Sequence, residues 1–528
     1  MNLEGKQLIN GQSIASGTEY FYAVNRVSGE NLQWRFFNAP AQDIEMAVAA
    51  AQRDFVITRN KTGIQKALFL EAIALELEKV GPQLIEMACL ETALATMRIE
   101  GELARTINQA KLFAKLLRDG NWVDAKIDTG DAQRKPAPRP DIRSMQRPIG
   151  PVAVFGASNF PLAFSAAGGD TVSAIAAGCP VVFKAHPGHP ATCEIAGKAI
   201  LAACAASDMP MGYFSLLHGD GPQVGAALAV HPAIKAIGFT GSYRVGRVLY
   251  NAAAARPEPI PVFAEMGSTN PVFVLPQALQ QRRDAIAAGY VGALTLGQGQ
   301  FCTNPGLLIH ESGSEDGLFH QGIADHVKAA TGGVMLTPAI EEAYRSGVSA
   351  RTGLKGLQIL AEGQETDNAR QHAPILFKTS LAAFNQQPQL EEELFGPSGI
   401  VITASSQAEM LAFAGNLSGH LTATVHATDE ELPAYKNLLD VLETKVGRLI
   451  INGYPTGVEV VAAMVHGGPY PATTDARSTS VGTGAIYRFT RPVCYQGMPQ
   501  ALLPEELKDT NVLAIWRFVN GNFSNASI

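Results

Sequence analysis

Short apolar runs alternate with helical stretches in the middle of this 528-residue chain. Such continuous apolar runs are typical of strands buried on both faces, and they occupy residues 151–155, 181–184, 212–217 and 236–240. Strands that alternate with helices predict an α/β fold with a mostly parallel sheet. Ligands of such a sheet bind at the carboxyl ends of its strands. Because Asn159, Lys184 and Thr240 fall at such ends, we expect them at one edge of the sheet.

Helical patterns surround these strands. One helix face is predicted by the spacing of Ile44, Val48, Ala51 and Phe55. Residues 64–119 continue in a helical pattern that Gly81-Pro82 interrupts. Residues 160–178 are small and apolar, which predicts a tightly packed helix. After residue 260, further strand-like runs followed by helices indicate a second α/β unit.

Composition narrows the class of protein. A net charge of −7 argues against a nucleic-acid partner. No apolar run reaches the ~18 residues that a membrane span requires, and the polar N-terminus lacks a secretory hydrophobic segment. The six cysteines form neither a CxxC metal pair nor a disulfide framework. We therefore expect an enzyme of the reducing cytoplasm, with no metal site, no membrane and no nucleic acid.

Cys302 and Glu265 are the residues with the clearest chemical potential. Cys302 lies in a glycine-rich stretch, residues 297–305, that is almost free of charge, and glycine permits a close approach of the backbone. Glu265 follows an apolar run, where a carboxylate is costly to bury. Together they suggest thioester chemistry with a carboxylate base. Taken alone, such a cysteine is more often a small core residue, and such a glutamate can be a salt-bridged carboxylate.

Six motifs in order along the chain extend this interpretation. They are Phe155-Gly156-Ala157-Ser158-Asn159-Phe160-Pro161, Lys184, Gly238-Phe239-Thr240-Gly241-Ser242, Glu265-Met266-Gly267, Gly299-Gln300-Phe301-Cys302 and Glu393-Leu394-Phe395-Gly396-Pro397. The chain resembles the NAD(P)-dependent aldehyde dehydrogenase superfamily. In detail it is most similar to a branch that includes NADP-dependent aldehyde dehydrogenases and 2,5-dioxovalerate (α-ketoglutaric semialdehyde) dehydrogenases.

The resemblance implies an aldehyde dehydrogenase-like α/β architecture in three parts. A Rossmann-type cofactor domain would comprise residues 1–124 and 147–258, and an α/β catalytic domain residues 259–470. Residues 125–146 and 471–528 would form a β oligomerisation arm with a C-terminal extension. Because such an arm exposes unpaired strand edges, a homodimer or homotetramer is expected.

The resemblance also implies the catalytic roles. Cys302 would attack the aldehyde to give a thiohemiacetal, and the Asn159 amide would stabilise the resulting oxyanion. After hydride transfer, Glu265 would deprotonate the water that hydrolyses the thioester. Without the resemblance, Asn159 is read more simply as a turn residue that follows a strand.

Cofactor residues follow in the same way. Lys184 would bind the adenosine ribose, Gly241-Ser242 would open a helix that binds phosphate, and Glu393 with Phe395 would hold the nicotinamide ribose and position the ring. Phe155 and His186 complete the expected cofactor site. Lys184 can also be read as a lysine that reaches solvent, and Glu393 as part of a solvated acidic face.

Departures from the family pattern inform the choice of cofactor. NAD-preferring members carry a glutamate three residues after the lysine, and this chain has Pro187 there. Without that carboxylate a 2′-phosphate meets no like charge, so we expect NADP, with NAD possible. Ser158 stands where many members have tryptophan, and residues 466–471, His-Gly-Gly-Pro-Tyr-Pro, replace the usual Pro-Phe-Gly-Gly.

The substrate is less constrained. Phe164 and Phe301 would line the substrate tunnel by position. The branch favours α-ketoglutaric semialdehyde, with a medium-chain aliphatic aldehyde second. A CoA-acylating relative is less favoured, because Glu265 suits hydrolysis. An anionic substrate should need an arginine; Arg477 is one candidate, although a surface or subunit-contact role fits it equally.

Overall fold

The computed structural model describes residues 3–364, 368 and 370–528. Residues 1, 2, 365–367 and 369 fall within the predicted cofactor and catalytic domains and lie outside the described residues. The α-helices are α1 Ala41–Thr58, α2 Gly63–Lys79, α3 Gly81–Thr92, α4 Thr96–Asp119, α5 Gly169–Ala177, α6 Pro190–Ala206, α7 Gln223–Val230, α8 Tyr243–Ala254, α9 Pro276–Thr295, α10 Asp316–Ala329, α11 Pro338–Thr352, α12 Leu381–Phe384, α13 Gln407–Asn416 and α14 Lys436–Glu443.

Strands in the first part of the chain are β1 Gln7–Ile9, β2 Gln12–Ile14, β3 Tyr20–Val24, β4 Asn31–Phe37, β5 Lys126–Asp128, β6 Ile142–Pro148, β7 Val152–Phe155, β8 Val181–Lys184, β9 Phe214–Leu217, β10 Ala236–Thr240 and β11 Val262–Glu265. Those that follow are β12 Val272–Val274, β13 Leu307–Glu311, β14 Gly333–Val334, β15 Gln358–Glu362, β16 Gln371–His372, β17 Ile375–Ser380, β18 Ser398–Ala404, β19 Thr422–His426, β20 Arg448–Ile451, β21 Thr490–Gln496, β22 Arg517–Val519 and β23 Asn522–Ser524.

The first large sheet has the strand order β11-β10-β7-β8-β9-β1-β2. Strands β7 to β11 are parallel, and β1 joins β9 antiparallel. The chain runs outward from β7 to β9 and then returns to the other side of β7 with β10. The order therefore reverses beside β7, which is where open α/β sheets form their ligand crevice.

Helix α4 flanks this sheet and carries two arginines toward the site. Its buried side includes apolar residues at helical spacing, Ile99, Leu103, Ile107, Ala110 and Phe113, and also the carboxylate of Glu102. The helix ends at Gly120, whose φ of 69° is the left-handed conformation that favours glycine at a helix C-terminus.

The second large sheet has the order β15-β17-β18-β13-β12-β19-β20. All its neighbours are parallel except β15 and β17. The predicted second α/β unit after residue 260 is confirmed by these strands and their covering helices. Strand β11 belongs to the first sheet and β12 to the second, so residues 266–271 connect the two sheets directly.

A third sheet, in the order β21-β6-β5-β22-β23, joins the segment after residue 125 to the C-terminal part of the chain. Strands β6 and β21 are antiparallel along their whole length, from Thr490 opposite Pro148 to Gln496 opposite Ile142. A buried ion pair, Arg488 Nη2 to Asp170 Oδ1 at 2.7 Å, ties the chain just before β21 to helix α5.

One helix prediction was wrong at its start. The helix expected over 160–178 begins only at Gly169, because the preceding residues fold back on themselves. The Gly169 N–H donates to the Ala163 carbonyl, and a Cβ at Gly168 would lie 2.4 Å from that oxygen. None of the described helices combines the length and apolar character required to cross a bilayer.

Candidate functional site

Four strand ends converge at the crevice of the first sheet. Phe155 at the end of β7 lies opposite Lys184 at the end of β8 and opposite Phe239 on β10. Thr240 then lies opposite Glu265 at the end of β11. Because these strands are parallel, their terminal side chains share one edge, as predicted from the strand pattern.

The Cys302 loop is shaped by a left-handed turn. Gly297, Gln298 and Gly299 all have positive φ, at 56°, 60° and 62°. A Cβ at Gly299 would lie 2.4 Å from the Gly396 carbonyl carbon, so the backbones approach as only glycine permits. The Asn270 amide fixes the other side of the loop, since it donates to the carbonyls of Cys302 and Asn304, each at 2.9 Å.

Glu265, Cys302 and His466 form a compact trio. His466 Nε2 lies 3.1 Å from Glu265 Oε1 and 3.4 Å from Cys302 Sγ. Glu265 and His466 are both buried, and Ser480 donates a hydrogen bond to the other carboxylate oxygen at 2.8 Å. A proton on Nε2 therefore lies within reach of both the carboxylate and the thiol.

The negative charge of Glu265 disfavours a second negative charge on Cys302. Burial raises the pKa of the Cys302 thiol well above its ordinary value, and the Glu265 carboxylate adds to that shift. Burial would also raise the pKa of Glu265, but His466 and the Ser480 hydroxyl outweigh it, so that pKa is lowered. At rest the sulfur is thus a thiol beside an ionised carboxylate, which is a thiol with a base at hand.

Asn159 lies on the loop that follows β7, and this loop contacts the loop that carries Cys302. The Asn159 side chain is buried, and its amide nitrogen donates to the Gln300 carbonyl at 3.1 Å. An amide nitrogen carries two hydrogens, so the second can serve an oxygen bound at Cys302. The predicted grouping of Asn159, Glu265 and Cys302 is present in the structure; their catalytic roles stay predictions.

The sequence analysis missed His466. It lies 201 residues after Glu265, in the segment where the family pattern is replaced. Residues 466–480 pack along β11: Met266 N–H donates to the Ala472 carbonyl at 2.7 Å, and Thr474 N–H donates to the Ala264 carbonyl at 3.1 Å. The departure from the family motif at this position could have indicated His466, because histidine is a frequent acid–base residue.

Groups for a dinucleotide lie at the sheet edge. Burial lowers the pKa of Lys184 to about 8, and the Thr240 hydroxyl is buried without a hydrogen-bond partner among the described residues. Ser242 is the N-cap of α8 and accepts a bond from the Val245 N–H. The Gly241 N–H donates to the Glu265 carbonyl at 3.0 Å, so a phosphate would meet the first turn of α8 instead. A lysine, a free hydroxyl and a helix N-terminus at one crevice fit a nicotinamide dinucleotide.

The remaining predicted cofactor residues border the same region. Glu393 and Phe395 line one small cleft with Ser268 and Thr269. Burial, with the nearby Glu265 charge, raises the pKa of Glu393 to about 8. The His186 ring stacks on His189 at 5.3 Å, in the loop that follows Lys184. These placements are compatible with cofactor contact, and the roles stay predictions.

Aromatic rings adjoin the nucleophile on the other side. Phe160 packs edge-on against both predicted tunnel residues, Phe164 at 5.4 Å and Phe301 at 5.5 Å between ring centres. The Phe164 ring lies 6.3 Å from the His466 ring. Arg477, the sequence candidate for binding a substrate carboxylate, has a side chain that is 92% exposed and bonds Asp475. The apolar cluster is thus next to the trio, whereas Arg477 projects into solvent.

The trio also has the composition of a metal site. One donor atom from each of Glu265, Cys302 and His466 lies within 4.8 Å of the others, and zinc takes carboxylate, thiolate and imidazole ligands. The same three groups are those required for thiol chemistry with an acid–base partner. The expectation of a metal-free site stays a prediction.

Comparison with known proteins identifies relatives over nearly the whole length. A model of the aldehyde dehydrogenase family matches residues 14–478. The chain is 46% identical over 518 residues to the alpha-ketoglutaric semialdehyde dehydrogenase of Acinetobacter baylyi, covering 98% of each chain. It is 47% identical over 522 residues to the alpha-ketoglutaric semialdehyde dehydrogenase 2 of Azospirillum brasilense, covering 99% of each.

Solved structures share the fold at lower identity. The gamma-glutamyl-gamma-aminobutyraldehyde dehydrogenase from Burkholderia cenocepacia matches with a TM-score of 0.80 at 22% identity, covering 94% of this chain and 97% of that chain. The betaine aldehyde dehydrogenase of Staphylococcus aureus in complex with NAD+ matches with a TM-score of 0.80 at 18% identity, covering 95% and 96%. The predicted aldehyde dehydrogenase-like α/β fold is confirmed.

The Glu265 charge predicts a measurable property of the thiol. Because this charge raises the pKa of Cys302, Glu265→Gln should let the thiol ionise at lower pH. We expect the pH midpoint of Cys302 alkylation by iodoacetamide to fall by at least about one unit. Peptide mass spectrometry after timed alkylation measures this midpoint, and the partly exposed Cys89 on α3 is the internal control, with an unchanged midpoint.

His466→Phe is the companion variant. It keeps a planar ring but removes the nitrogen that lies 3.4 Å from Cys302 Sγ, so the thiolate loses a hydrogen-bond donor. The alkylation midpoint should then move to higher pH, opposite to Glu265→Gln. An unchanged or raised midpoint in Glu265→Gln would contradict the electrostatic account of the trio.

Proposed function

Because the chain belongs to the aldehyde dehydrogenase family, we propose that it oxidises α-ketoglutaric semialdehyde to 2-oxoglutarate. The chain is an NAD(P)-dependent aldehyde dehydrogenase, and the thiol, base and histidine at one point suit that reaction. The substrate is supported chiefly by the two relatives named for it, at 46% and 47% identity over almost the whole length.

The first step is attack of Cys302 on the aldehyde carbon. The thiol proton moves to His466 Nε2, 3.4 Å from the sulfur, as the proton already on Nε2 passes to the Glu265 carboxylate at 3.1 Å. The C–S bond forms as the carbonyl π electrons move onto oxygen. Transfer of the proton during attack lets a thiol with a raised pKa act as the nucleophile.

Asn159 then stabilises the developing oxyanion. Its amide nitrogen carries a second hydrogen besides the one donated to the Gln300 carbonyl, and this hydrogen would serve the oxyanion. A well-placed donor of this kind stabilises the transition state by ~3 kcal/mol. A nicotinamide held at the crevice would supply the acceptor for the hydride, and a thioester would then remain on Cys302.

Hydrolysis returns the enzyme to its resting state. Once Glu265 has released the thiol proton to solvent, it takes a proton from a water, and the hydroxide adds to the thioester carbonyl; collapse then releases the acid and the sulfur. The lowered pKa of Glu265 keeps it ionised and ready to accept that proton. His466 is placed to return a proton to the leaving sulfur, because its Nε2 contacts both groups.

Two alternatives remain open to experiment. A medium-chain aliphatic aldehyde would suit the apolar cluster of Phe160, Phe164 and Phe301. A CoA-acylating reaction would use a thiol instead of water and would have less need of the buried base Glu265. We favour the hydrolytic reaction for that reason.

The substrate test compares α-ketoglutaric semialdehyde with hexanal on one enzyme preparation, with NADP+ and without CoA. We expect kcat/KM to favour the semialdehyde by about 10-fold or more, since a charged contact contributes ~1.5–3 kcal/mol. Cys302→Ser is the control and should lose at least about 10³-fold in kcat. Preference for hexanal would favour the aliphatic alternative, and dependence on CoA the acylating one.

We also propose that NADP is the preferred cofactor. Lys184 ends β8, and Pro187 occupies the position where a carboxylate would repel a 2′-phosphate. NAD remains usable, because the groups at the crevice do not depend on that phosphate.

Pro187→Glu tests the cofactor proposal. The wild-type enzyme should have the higher kcat/KM with NADP+, and the variant should lower the NADP+ to NAD+ ratio by about 10-fold or more through like-charge repulsion. Pro187→Gln is the matched control, since it removes the proline without adding charge. A wild-type enzyme with a strong NAD+ preference would contradict the proposal.

The three-part organisation and the subunit contact are likewise proposed. The second sheet lies within the predicted catalytic part, whereas the first sheet extends past the predicted boundary at 258 to include β11; the third sheet combines the predicted arm with the C-terminal segment. Strand β21 ends that sheet, and Trp516, Phe518 and Phe523 are exposed near its other end. Exposed edges and aromatics of this kind suit a subunit interface. The cytoplasm stays our prediction for location, on the cysteine pattern.

The oligomer proposal predicts a homodimer or homotetramer in solution. Sedimentation equilibrium at micromolar concentration should give two or four times the chain mass. Val493→Lys, in the middle of β21, should shift the distribution toward smaller species, whereas Lys115→Met on α4 should not. A wild-type monomer at that concentration would contradict the proposal.

A further inference from the structure

Two arginines of α4 flank the apolar cluster beside the nucleophile. The Arg98 guanidinium carbon lies 4.5 Å from the Phe160 ring centre and 5.2 Å from that of Phe301. The Arg105 carbon lies 5.7 Å from the ring centres of both Phe160 and Phe164. Arg105 follows Arg98 by seven positions, which places the two arginines on one face of the helix, two turns apart.

The terminal nitrogens of Arg98 are engaged by the protein, although its Nε, like that of Arg105, is buried without a hydrogen-bond partner among the described residues. Arg98 forms an ion pair with Glu102 and donates to the Asn159 carbonyl at 3.2 Å. Glu102 in turn accepts from the N–H groups of Leu162 and Ala163, at 2.8 and 2.9 Å. This network holds the loop that carries Asn159, so Arg98 has a positioning task.

Arg105 has no such engagement. Within the described residues no carboxylate lies at ion-pair distance from it, and its Nε is buried without a hydrogen-bond partner. Its contacts are the faces of two phenyl rings. A half-buried guanidinium left in this state is unfavourable, which is expected where an anion is supplied from outside.

The position of Arg105 connects it to the reacting atoms. The Phe164 ring contacts both groups. Its centre lies 5.7 Å from the Arg105 guanidinium carbon and 6.3 Å from the His466 ring centre. The positive charge also acts on the nucleophile, since Arg105 opposes the rise in the Cys302 pKa. The guanidinium is therefore close enough to the thiol to face the far end of a short substrate.

We propose that Arg105 binds the carboxylate of the aldehyde substrate while its chain lies along Phe164 and its carbonyl carbon meets Cys302. The proposal rests on the proposed function, which supplies an aldehyde with a carboxylate at its other end. A planar guanidinium binds a carboxylate through two parallel hydrogen bonds. Arg105 is thus a specificity-determining residue: it selects anionic aldehydes from a cluster that is otherwise apolar.

Arg105→Met tests this directly, because methionine keeps the unbranched chain and removes the charge. For α-ketoglutaric semialdehyde we expect kcat/KM to fall about 10- to 100-fold, mainly through KM. For pentanal, of the same carbon number and uncharged, the loss should be at least about fivefold smaller, because only the effect of the Arg105 charge on Cys302 is removed. Glutarate, a competitive probe without an aldehyde, should lose inhibition by a similar factor.

Controls separate anchoring from general damage. Lys115→Met removes one positive charge from the exposed face of α4, ~15 Å further along the helix, and should leave both substrates unchanged. Arg105→Lys keeps the charge but not the planar fork, and should fall between the native enzyme and Arg105→Met. If Arg105→Met does not fold, Arg105→Gln gives the same comparison, with thermal midpoints recorded for each variant.

The outcomes distinguish the two proposals. Equal losses for the anionic and neutral aldehydes, or an unchanged preference for the anionic one, would overturn the role of Arg105. Failure of the native enzyme to prefer α-ketoglutaric semialdehyde over pentanal would instead overturn the proposed substrate. If the native enzyme shows that preference and only Arg105→Met loses it, the carboxylate subsite is established.

Discussion

The site depends on a carboxylate that is buried beside a thiol. An ionised carboxylate out of water is strongly unfavourable unless hydrogen bonds and opposite charge offset the loss of hydration. Glu265 receives both, from His466 at 3.1 Å and Ser480 at 2.8 Å. The same charge holds Cys302 in its neutral form, so the resting nucleophile is protected from the oxidation to which thiolates are prone. Reactivity then requires a proton acceptor, and the Glu265 carboxylate provides it through His466 Nε2, which lies between the carboxylate and the sulfur.

Two residues of the trio are positioned by the two large sheets, and the third by a later segment. Glu265 ends the edge strand of the first sheet, whereas Cys302 lies on a loop that leads into the second, and the connection 266–271 fixes the distance between them. The third member comes from a late segment that pairs with β11 near Ala264 and Glu265. Backbone hydrogen bonds therefore position the segment that carries His466, so that one imidazole stays within reach of two partners.

The sequence predicted what depends on local pattern and parallel topology. Apolar runs located β7, β8 and β10, and their polar ends located Asn159 and Lys184. Motif resemblance added Cys302 and Glu265. Two features were not predicted. The start of α5 was missed because the tight turn around Gly168 has no periodicity, and His466 was missed because its partner Glu265 is 201 residues away. Neither turn geometry nor a distant pairing leaves a spacing in the sequence that could be detected.

Sequence spacing also does not decide which of the two arginines of α4 pairs with Glu102. Glu102 is four residues from Arg98 and three from Arg105, and both spacings allow an ion pair on a helix. The fold decides between them: one Glu102 oxygen accepts the N–H groups of Leu162 and Ala163, and Arg98 occupies the other. Both Glu102 oxygens are thus occupied, and among the described residues Arg105 contacts aromatic faces and forms no ion pair. A single carboxylate, fixed by a loop 60 residues away, thereby sets one arginine to hold the active-site loop and leaves its neighbour free for a ligand.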